Sequence, residues 1–302
     1  MARASNSKKA FVKWSEQILG NMASSFNKRL EILHFYGSTS LGTVSSLSSQ
    51  NITLTAASFA EGIWAGSEDM TIDVYQSDGT VRQAGLVVAS VDLATRVVTV
   101  TGTTTGIVST DTVHFAGHYG NEMSGLDKII TNTGSLFNIS ASTYNLWKGN
   151  SHAVGGALTF TAIQSGIGKG VVKGLDEKVT LYVHPNSFAA LNTDLAAARS
   201  LDQSYRAKKV ESGSEAIAFY AVNGEIEIVP SIYVKQGEAF AVPLKRFKRL
   251  GSSDVTMRMP GMTDEQLMLQ LPSNAGYEMR LFYDGNCFSE RPAWCVKFTG
   301  IA

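Results

Sequence analysis

The stretch KKAFVKWSEQILGNMASSFNKRLEILHFYG, residues 8–37, decides how the rest of the chain is read. Apolar residues fall at Phe11, Trp14, Ile18, Met22, Phe26, Leu30 and Leu33, three or four apart. That spacing places them on one stripe of a helix sustained over several turns. Lys13, Glu16, Lys28 and Arg29 fall between them, toward solvent or a neighbour, and Gly37 supplies a stop. At about 1.5 Å per residue, a helix over residues 8–36 spans about 40 Å. A helix that long at the front of a globular chain is expected to lie across a whole subunit as a spine.

The bulk composition narrows the function. Of the 302 residues, 44% are hydrophobic, which leaves room for a sizeable core. Lys and Arg number 26 and Asp and Glu number 26, so the formal net charge is +0. A chain that grips nucleic acid tightly shows a basic excess, so contact with DNA or RNA is expected to be weak or local. Zero net charge also removes long-range self-repulsion and permits dense self-association. The two cysteines, Cys287 and Cys295, are too few for a disulfide framework and read as reduced, half-buried thiols. No run approaches the roughly 20 apolar residues of a membrane helix. The basic N-terminus MARASNSKKAFVKW lacks the apolar core of a signal peptide, so a cytoplasmic site of synthesis is expected.

After the helix the character changes. Residues 41–118 are rich in Thr, Ser, Val and Gly, with strand-like runs at 51–55, 70–75, 85–91, 97–101 and 112–115. Val97, Thr99 and Thr101 alternate with Val98 and Val100, as on a pleated sheet. Asp78-Gly79 is a hairpin-turn signal. Five or so short strands in this length predict a small barrel or sandwich. Residues 119–158 read as mostly irregular but studded with apolar residues, among them Leu136, Phe137, Ile139, Tyr144, Leu146 and Trp147. Thr161 and Gln164 match a capping box opening a helix with Ile163, Ile167 and Val171 on one face, and Gly166, Gly168 and Gly170 inside it suggest close approach of a neighbour. A strand at 179–183, a helix near Asn186 carrying Phe188, Leu191 and Leu195 inward, and a polar loop at 199–215 follow. Asn223-Gly224 predicts a hairpin joining strands at 217–222 and 225–229. Further strands are predicted at 239–243, 255–259, 266–271, 277–283 and 294–298. The whole reads as an α+β chain.

The residues that carry chemistry do not converge. His114 and His118 sit four apart, but across a strand end and the Gly117 turn, with no third metal ligand in view. His184 precedes Pro185 at a strand-to-helix turn and reads as a packed or capping residue. GIGKG at 166–170 lacks the full phosphate-loop spacing and lies in a helical stripe. Asp254, Asp264 and Glu265 read as solvated turn residues. No Gly-x-Ser-x-Gly elbow is present. The expectation is therefore no enzyme: no catalytic residues, no metal and no cofactor. Lys245, Arg246, Lys248 and Arg249 form one basic cluster around Phe247, read as a solvated strand face or a contact with an acidic neighbouring subunit or with packaged nucleic acid.

The segment YGNEMSGLDKIITNTGSLFNISASTYNLWKGN (119–150) closely resembles the major capsid proteins of tailed bacteriophages. So do HFYGSTSLGTV (34–44), LYVHPNSFAAL (181–191), AGYEMRLFYDG (275–285) and RPAWCVKFTGI (291–301). The resemblance implies the Hong-Kong-97-type phage capsid fold: an α+β subunit with a long spine helix, a peripheral domain and an axial domain. It would divide the chain into a spine helix (1–40), an inserted β domain (41–118), an irregular peripheral segment with a helix (119–178), an axial domain (179–240) and peripheral return strands (241–302). It implies a structural protein of the virion, assembled in the bacterial host cytoplasm. The implied partners are itself, in pentamers and hexamers of a shell, scaffolding and portal proteins, and weakly the packaged double-stranded DNA. Tyr144, Trp147, Tyr205, Arg206, Lys245 and Arg246 are the expected subunit contacts. Family members usually begin with an extended arm and a long β-hairpin loop before the spine helix, and this chain starts almost at the helix. An encapsulin-type nanocompartment shell is the alternative of the same fold. A tail or adhesion protein and a hydrolase with an α+β core are more distant ones.

Overall fold

The computed structural model describes residues 8–199, 217–221, 224–257, 269–271 and 277–302. The predicted first helix is α1 (Lys8–Tyr36). It stops where the Gly37 N–H donates to the Leu33 carbonyl at 2.7 Å. A second segment of chain crosses there: the Gly125 N–H donates to the Gly37 carbonyl at 2.9 Å. A Cβ on Gly37 would lie 2.3 Å from the Met123 carbonyl oxygen, so only glycine lets the two backbones meet.

Six strands then close into a barrel: β1 (Gly42–Ser48), β2 (Asn51–Leu54), β3 (Thr71–Tyr75), β4 (Val81–Asp92), β5 (Val97–Thr101) and β6 (Thr112–Phe115). The short helix α2 (Glu61–Trp64) interrupts them. The order round the barrel is β1-β2-β5-β4-β3-β6, and closure leaves no open edge. Ile52, Leu54, Ile72, Val74, Val88, Val98 and Val100 fill the interior. The sequence pattern did not predict β1. Its residues GTVSSLS are mostly small and polar, and Val44 is its one buried aliphatic side chain. Backbone pairing to β2 and β6 makes it a strand.

Downstream come α3 (Leu126–Thr131), the short hairpin β7 (Ser135–Leu136) and β8 (Ile139–Ser140), β9 (Asn150–Gly156), α4 (Phe160–Val171), β10 (Val179–Val183) and α5 (Pro185–Arg199). They are followed by β11 (Ile217–Ala221), β12 (Gly224–Pro230), β13 (Glu238–Val242) and β14 (Phe247–Thr256). The chain ends with β15 (Leu269–Gln270), β16 (Tyr277–Glu278), β17 (Phe282–Ser289) and β18 (Val296–Ile301). Six of these strands form one mixed sheet in the order β11-β12-β10-β13-β18-β9. The sheet draws on all three of the segments 119–178, 179–240 and 241–302, and β13 crosses the 240/241 boundary.

The two sides of this sheet follow the two-residue alternation of a strand. On one side Val179, Leu181 and Val183 of β10, Ala239 and Ala241 of β13, and Val296 and Phe298 of β18 pack against Ile163 and Ile167 of α4 and Phe188 and Leu191 of α5. On the other, Tyr182, Phe240 and Val242 meet the end of α1. The Phe35 ring centroid lies 5.4 Å from that of Tyr182 and 6.1 Å from that of Phe240. This second core runs on through Phe59 and Trp64 into the barrel, so barrel, α1 and sheet share one apolar interior.

Several local expectations are corrected. Residues 119–158, read as mostly irregular, contain α3 and β9. β9 is an edge strand paired in parallel with β18, and its sequence NSHAVGG offers little strand pattern of its own. The cap of α4 is Thr159, whose Oγ1 accepts from the Ala162 N–H at 3.2 Å, rather than Thr161. A Cβ on Gly166 would sit 2.3 Å from the Phe298 ring, whereas one on Gly168 would meet nothing. The strand expected at 255–259 begins instead at Phe247, and β17 runs on to Ser289, because β14 and β17 form a long antiparallel ribbon. The strand expected at 277–283 is two pieces, β16 and the start of β17. Cys295 is fully buried rather than half-buried; Cys287 is partly buried, and both thiols are free. The loop at 200–215, Tyr205 and Arg206 within it, Asp264 and Glu265 lie outside the described residues.

Candidate interaction surface

The segment from Leu136 to Trp147 builds one wall of a surface groove. The turn between β7 and β8 has Phe137 and Asn138 both at positive φ, 53° and 61°. That is the conformation of a tight two-residue hairpin, in which Asn is at home and Phe is uncommon. It turns the Phe137 ring toward Phe288, with centroids 5.7 Å apart. A single tight helical turn at Asn145–Trp147 then splits its neighbours. Trp147 points inward, 9% exposed, and its Nε1–H donates to the Leu136 carbonyl at 3.2 Å. Tyr144 and Leu146 point outward, 61% and 55% exposed.

The opposite wall comes from residues 290–294. Trp294 is buried, and its Nε1–H donates to the Lys173 carbonyl at 3.1 Å. The Arg291 guanidinium lies 4.6 Å above its ring. Asn150 ties the walls together, its Nδ2 donating to the Ala293 carbonyl at 2.6 Å and the Cys295 carbonyl at 3.2 Å. The groove between them encloses about 700 Å³ and is lined by Ile139, Tyr144, Leu146, Trp147, Arg291 and Trp294, with Glu290 at its rim. It is an apolar trough that holds two exposed large side chains, one cation and one anion. That composition suits contact with a protein surface.

The basic cluster lies beside it, and three of its four cations are already paired. Arg246 bonds the Glu177 carboxylate and lies 3.4 Å from Glu290. Lys248 is 2.5 Å from Glu290, and Arg249 pairs with Asp254. Glu177 first and Glu290 after it hold the Arg246 guanidinium above its ordinary value. Lys245 sits in the short turn before β14. Of the expected contacts, Tyr144 lies on the open groove, Trp147 is mostly within its own subunit, and Arg246 is committed to two carboxylates. Leu146, Arg291 and Trp294 belong to the groove as well. Trp294 is far from Trp147 in the chain, and no sequence spacing links them.

The histidines are spoken for. The His184 Nε2 is 2.7 Å from a Glu61 oxygen, and its Nδ1 accepts from the Asn186 N–H at 3.2 Å, so it caps α5 as expected. His114 stacks edge-on to Tyr75 and lies 3.1 Å from the Thr112 hydroxyl. Burial, helped by the Lys235 charge, pushes His114 down to about 4. His118 bridges Arg29, at 2.7 Å from its Nε2, and Glu122, at 3.3 Å from its Nδ1. Since the guanidinium only donates, Nε2 accepts and the ring proton sits on Nδ1, facing the carboxylate. Burial raises Glu122 to about 7. Burial raises the thiols too, Cys287 to about 11 and Cys295 to about 12, which makes them weak nucleophiles at neutral pH. Among the described residues there is no group of three or more His, Cys, Asp or Glu that could hold a metal ion, and no helix is long and apolar enough to cross a membrane.

No family model and no curated protein matches the chain. Among solved structures, a chain of the cyanophage A-1(L) capsid asymmetric unit is similar at 13% identity with a TM-score of 0.43. The match covers 61% of this chain and 61% of that one, so this chain spans less than two thirds of its length.

Proposed function

We propose that this chain is the subunit of a self-assembling shell, a major capsid protein of the tailed-phage type that encloses double-stranded DNA. The observation that carries the reading is how the segments resembling such proteins sit together. Residues 34–44 meet 119–125 through the Gly37–Gly125 crossing and through Ser38, whose N–H donates to Glu122 at 2.8 Å. Residues 147–150 meet 293–295 through Asn150. β10, which holds residues 181–183, and β18, within 291–301, flank β13 in one sheet. Four of the five resembling segments (34–44, 119–150, 181–191 and 291–301) are thus one connected framework, and the barrel is carried on it between residues 41 and 118. On this reading α1 is the spine helix, the barrel is an inserted contact domain, the hairpin β11–β12 belongs to the axial domain, and β14, β17 and β18 return through the peripheral domain.

A second copy of the chain is the partner assigned to the groove. Its rim carries both signs of charge, and the chain as a whole has formal net charge +0, so two copies approach without net repulsion. Shell stability then comes from many modest contacts multiplied by symmetry. The same neutrality suits a container that surrounds DNA without adhering to it. Sedimentation velocity on the wild type and on a Tyr144→Ala, Leu146→Ala double variant tests this. The expected result is large assemblies for the wild type and folded, smaller species for the variant. Equal sedimentation of the two would remove the groove from the interface. An enzyme packaged and retained inside the shell would favour the nanocompartment reading instead.

A further inference from the structure

The side of the sheet that meets α1 holds charges that the shell reading does not use. Lys297 lies on β18, Asp127 in the first turn of α3 and Glu238 at the start of β13. The Lys297 Nζ is 2.7 Å from Asp127 Oδ1 and 2.7 Å from Glu238 Oε1. The three side chains are only 9%, 10% and 18% exposed. The Lys297 Nζ lies 5.6 Å from the centre of the Phe240 ring, and Phe240 packs on Tyr36. The other oxygen of Glu238, Oε2, is buried with no hydrogen-bond partner. Lys235, also buried, donates to the Ser40 carbonyl at 2.7 Å and rests 3.9 Å over the Tyr36 ring.

We propose that Lys297 and Asp127 condense to an intramolecular amide, with Glu238 moving the protons. An amine held against one oxygen of a carboxyl group, inside a packed core, is close to attack on the carbon that bears it. In the first step a proton leaves the Lys297 ammonium through Glu238 and comes to rest on Asp127. A neutral amine then faces a neutral carboxylic acid. The Nζ lone pair attacks Asp127 Cγ and the C–N bond forms. Glu238 takes a proton from that nitrogen and returns it to the departing hydroxyl, the C–O bond breaks, and water leaves. One ammonium and one carboxylate become one amide and one water. Charge balances, no oxidant or co-reactant is consumed, and Glu238 ends as it began.

The surroundings favour the product. Each buried ion costs several kcal/mol of lost hydration, and the amide removes two of them. The charge left on Glu238 has Lys235 as its counterion. Burial pushes the Lys297 ammonium toward the neutral amine, while Asp127 and Glu238 hold its proton and raise it overall. That hold on the proton opposes the first transfer, so the condensation is slow, and its case rests on the geometry: an amine 2.7 Å from an oxygen of each of two carboxylates in a packed core. The product would tie α3 to the last strand.

The test is the mass of the denatured full chain after prolonged incubation of the folded protein at neutral pH, followed by peptide mapping. The expected result is a chain lighter by one water, with the peptide containing Asp127 joined to the one containing Lys297. Glu238→Gln keeps the size of the side chain but cannot shuttle protons, and should leave both peptides free in a protein with unchanged circular dichroism. A wild-type chain of full mass with both peptides free overturns the proposal, whether or not the variant folds. Cross-linking of Glu238→Gln at the wild-type rate overturns the role given to Glu238. The readout is a single denatured chain, so it does not depend on whether the protein assembles.

Discussion

The two sides of the central sheet are made by the same strands and solve different problems. Toward α4 and α5 the side chains are Val179, Leu181, Ala239, Ala241, Val296 and Phe298, with Leu181 and Phe298 fully out of water. Toward α1 the alternate positions hold Tyr182, Phe240 and Lys297, with Lys235 and Glu238 beside them. The first side is held by apolar burial alone. The second joins barrel, α1, α3 and sheet, and does so with a buried ion network centred on Lys297. An apolar face tolerates a lost methyl group at a graded cost, but two buried carboxylates tolerate the loss of their shared cation badly.

The largest effect is expected on the charged side. Lys297→Met leaves Asp127 and Glu238 buried without their shared cation, and unfolding in urea should show a loss of about 3–5 kcal/mol. On the dry side, Leu181→Ala should cost about 3 kcal/mol from lost burial and the cavity left behind. If the two variants ranked in the opposite order, the contrast between the sides would fail.

The pH dependence sharpens the contrast at the α1–barrel junction. Burial raises Glu122 from its ordinary 4.5 to about 7, so the folded state binds a proton more tightly than the unfolded chain. Stability from this group is complete below pH 4.5 and is lost as pH rises to about 7, by up to about 3 kcal/mol. Glu122→Gln should flatten the denaturation midpoint over that window, and an unchanged slope would show that Glu122 does not carry it. The smallest effect distinguishes two neighbouring glycines of α4. Gly166→Ala forces a methyl into the Phe298 ring and should cost about 1–3 kcal/mol. Gly168→Ala meets open space and should be neutral or stabilise by up to about 1 kcal/mol, both read from thermal melts.

What was legible in the chain was whatever periodicity expresses. The stripe from Phe11 to Leu33 reads as α1, and Val97–Thr101 and Val179–Val183 coincide with β5 and β10. What stayed hidden depended on partners far away in sequence. β1 and β9 are strands because β6 and β18 pair with them, although GTVSSLS and NSHAVGG carry little pattern. Asp127 and Lys297 look like ordinary surface residues, yet folding brings them together across the molecule. The groove was half visible. Tyr144 and Trp147 announced themselves by type, while Trp294 joined them only through the fold.

The measurement that tests the account most directly is negative-stain electron microscopy of the purified chain, concentrated at low and at high salt, with light scattering on the same samples. Closed shells, or rings of five or six subunits, are the predicted result. A monomer under every one of these conditions would contradict the reading of this chain as a shell subunit.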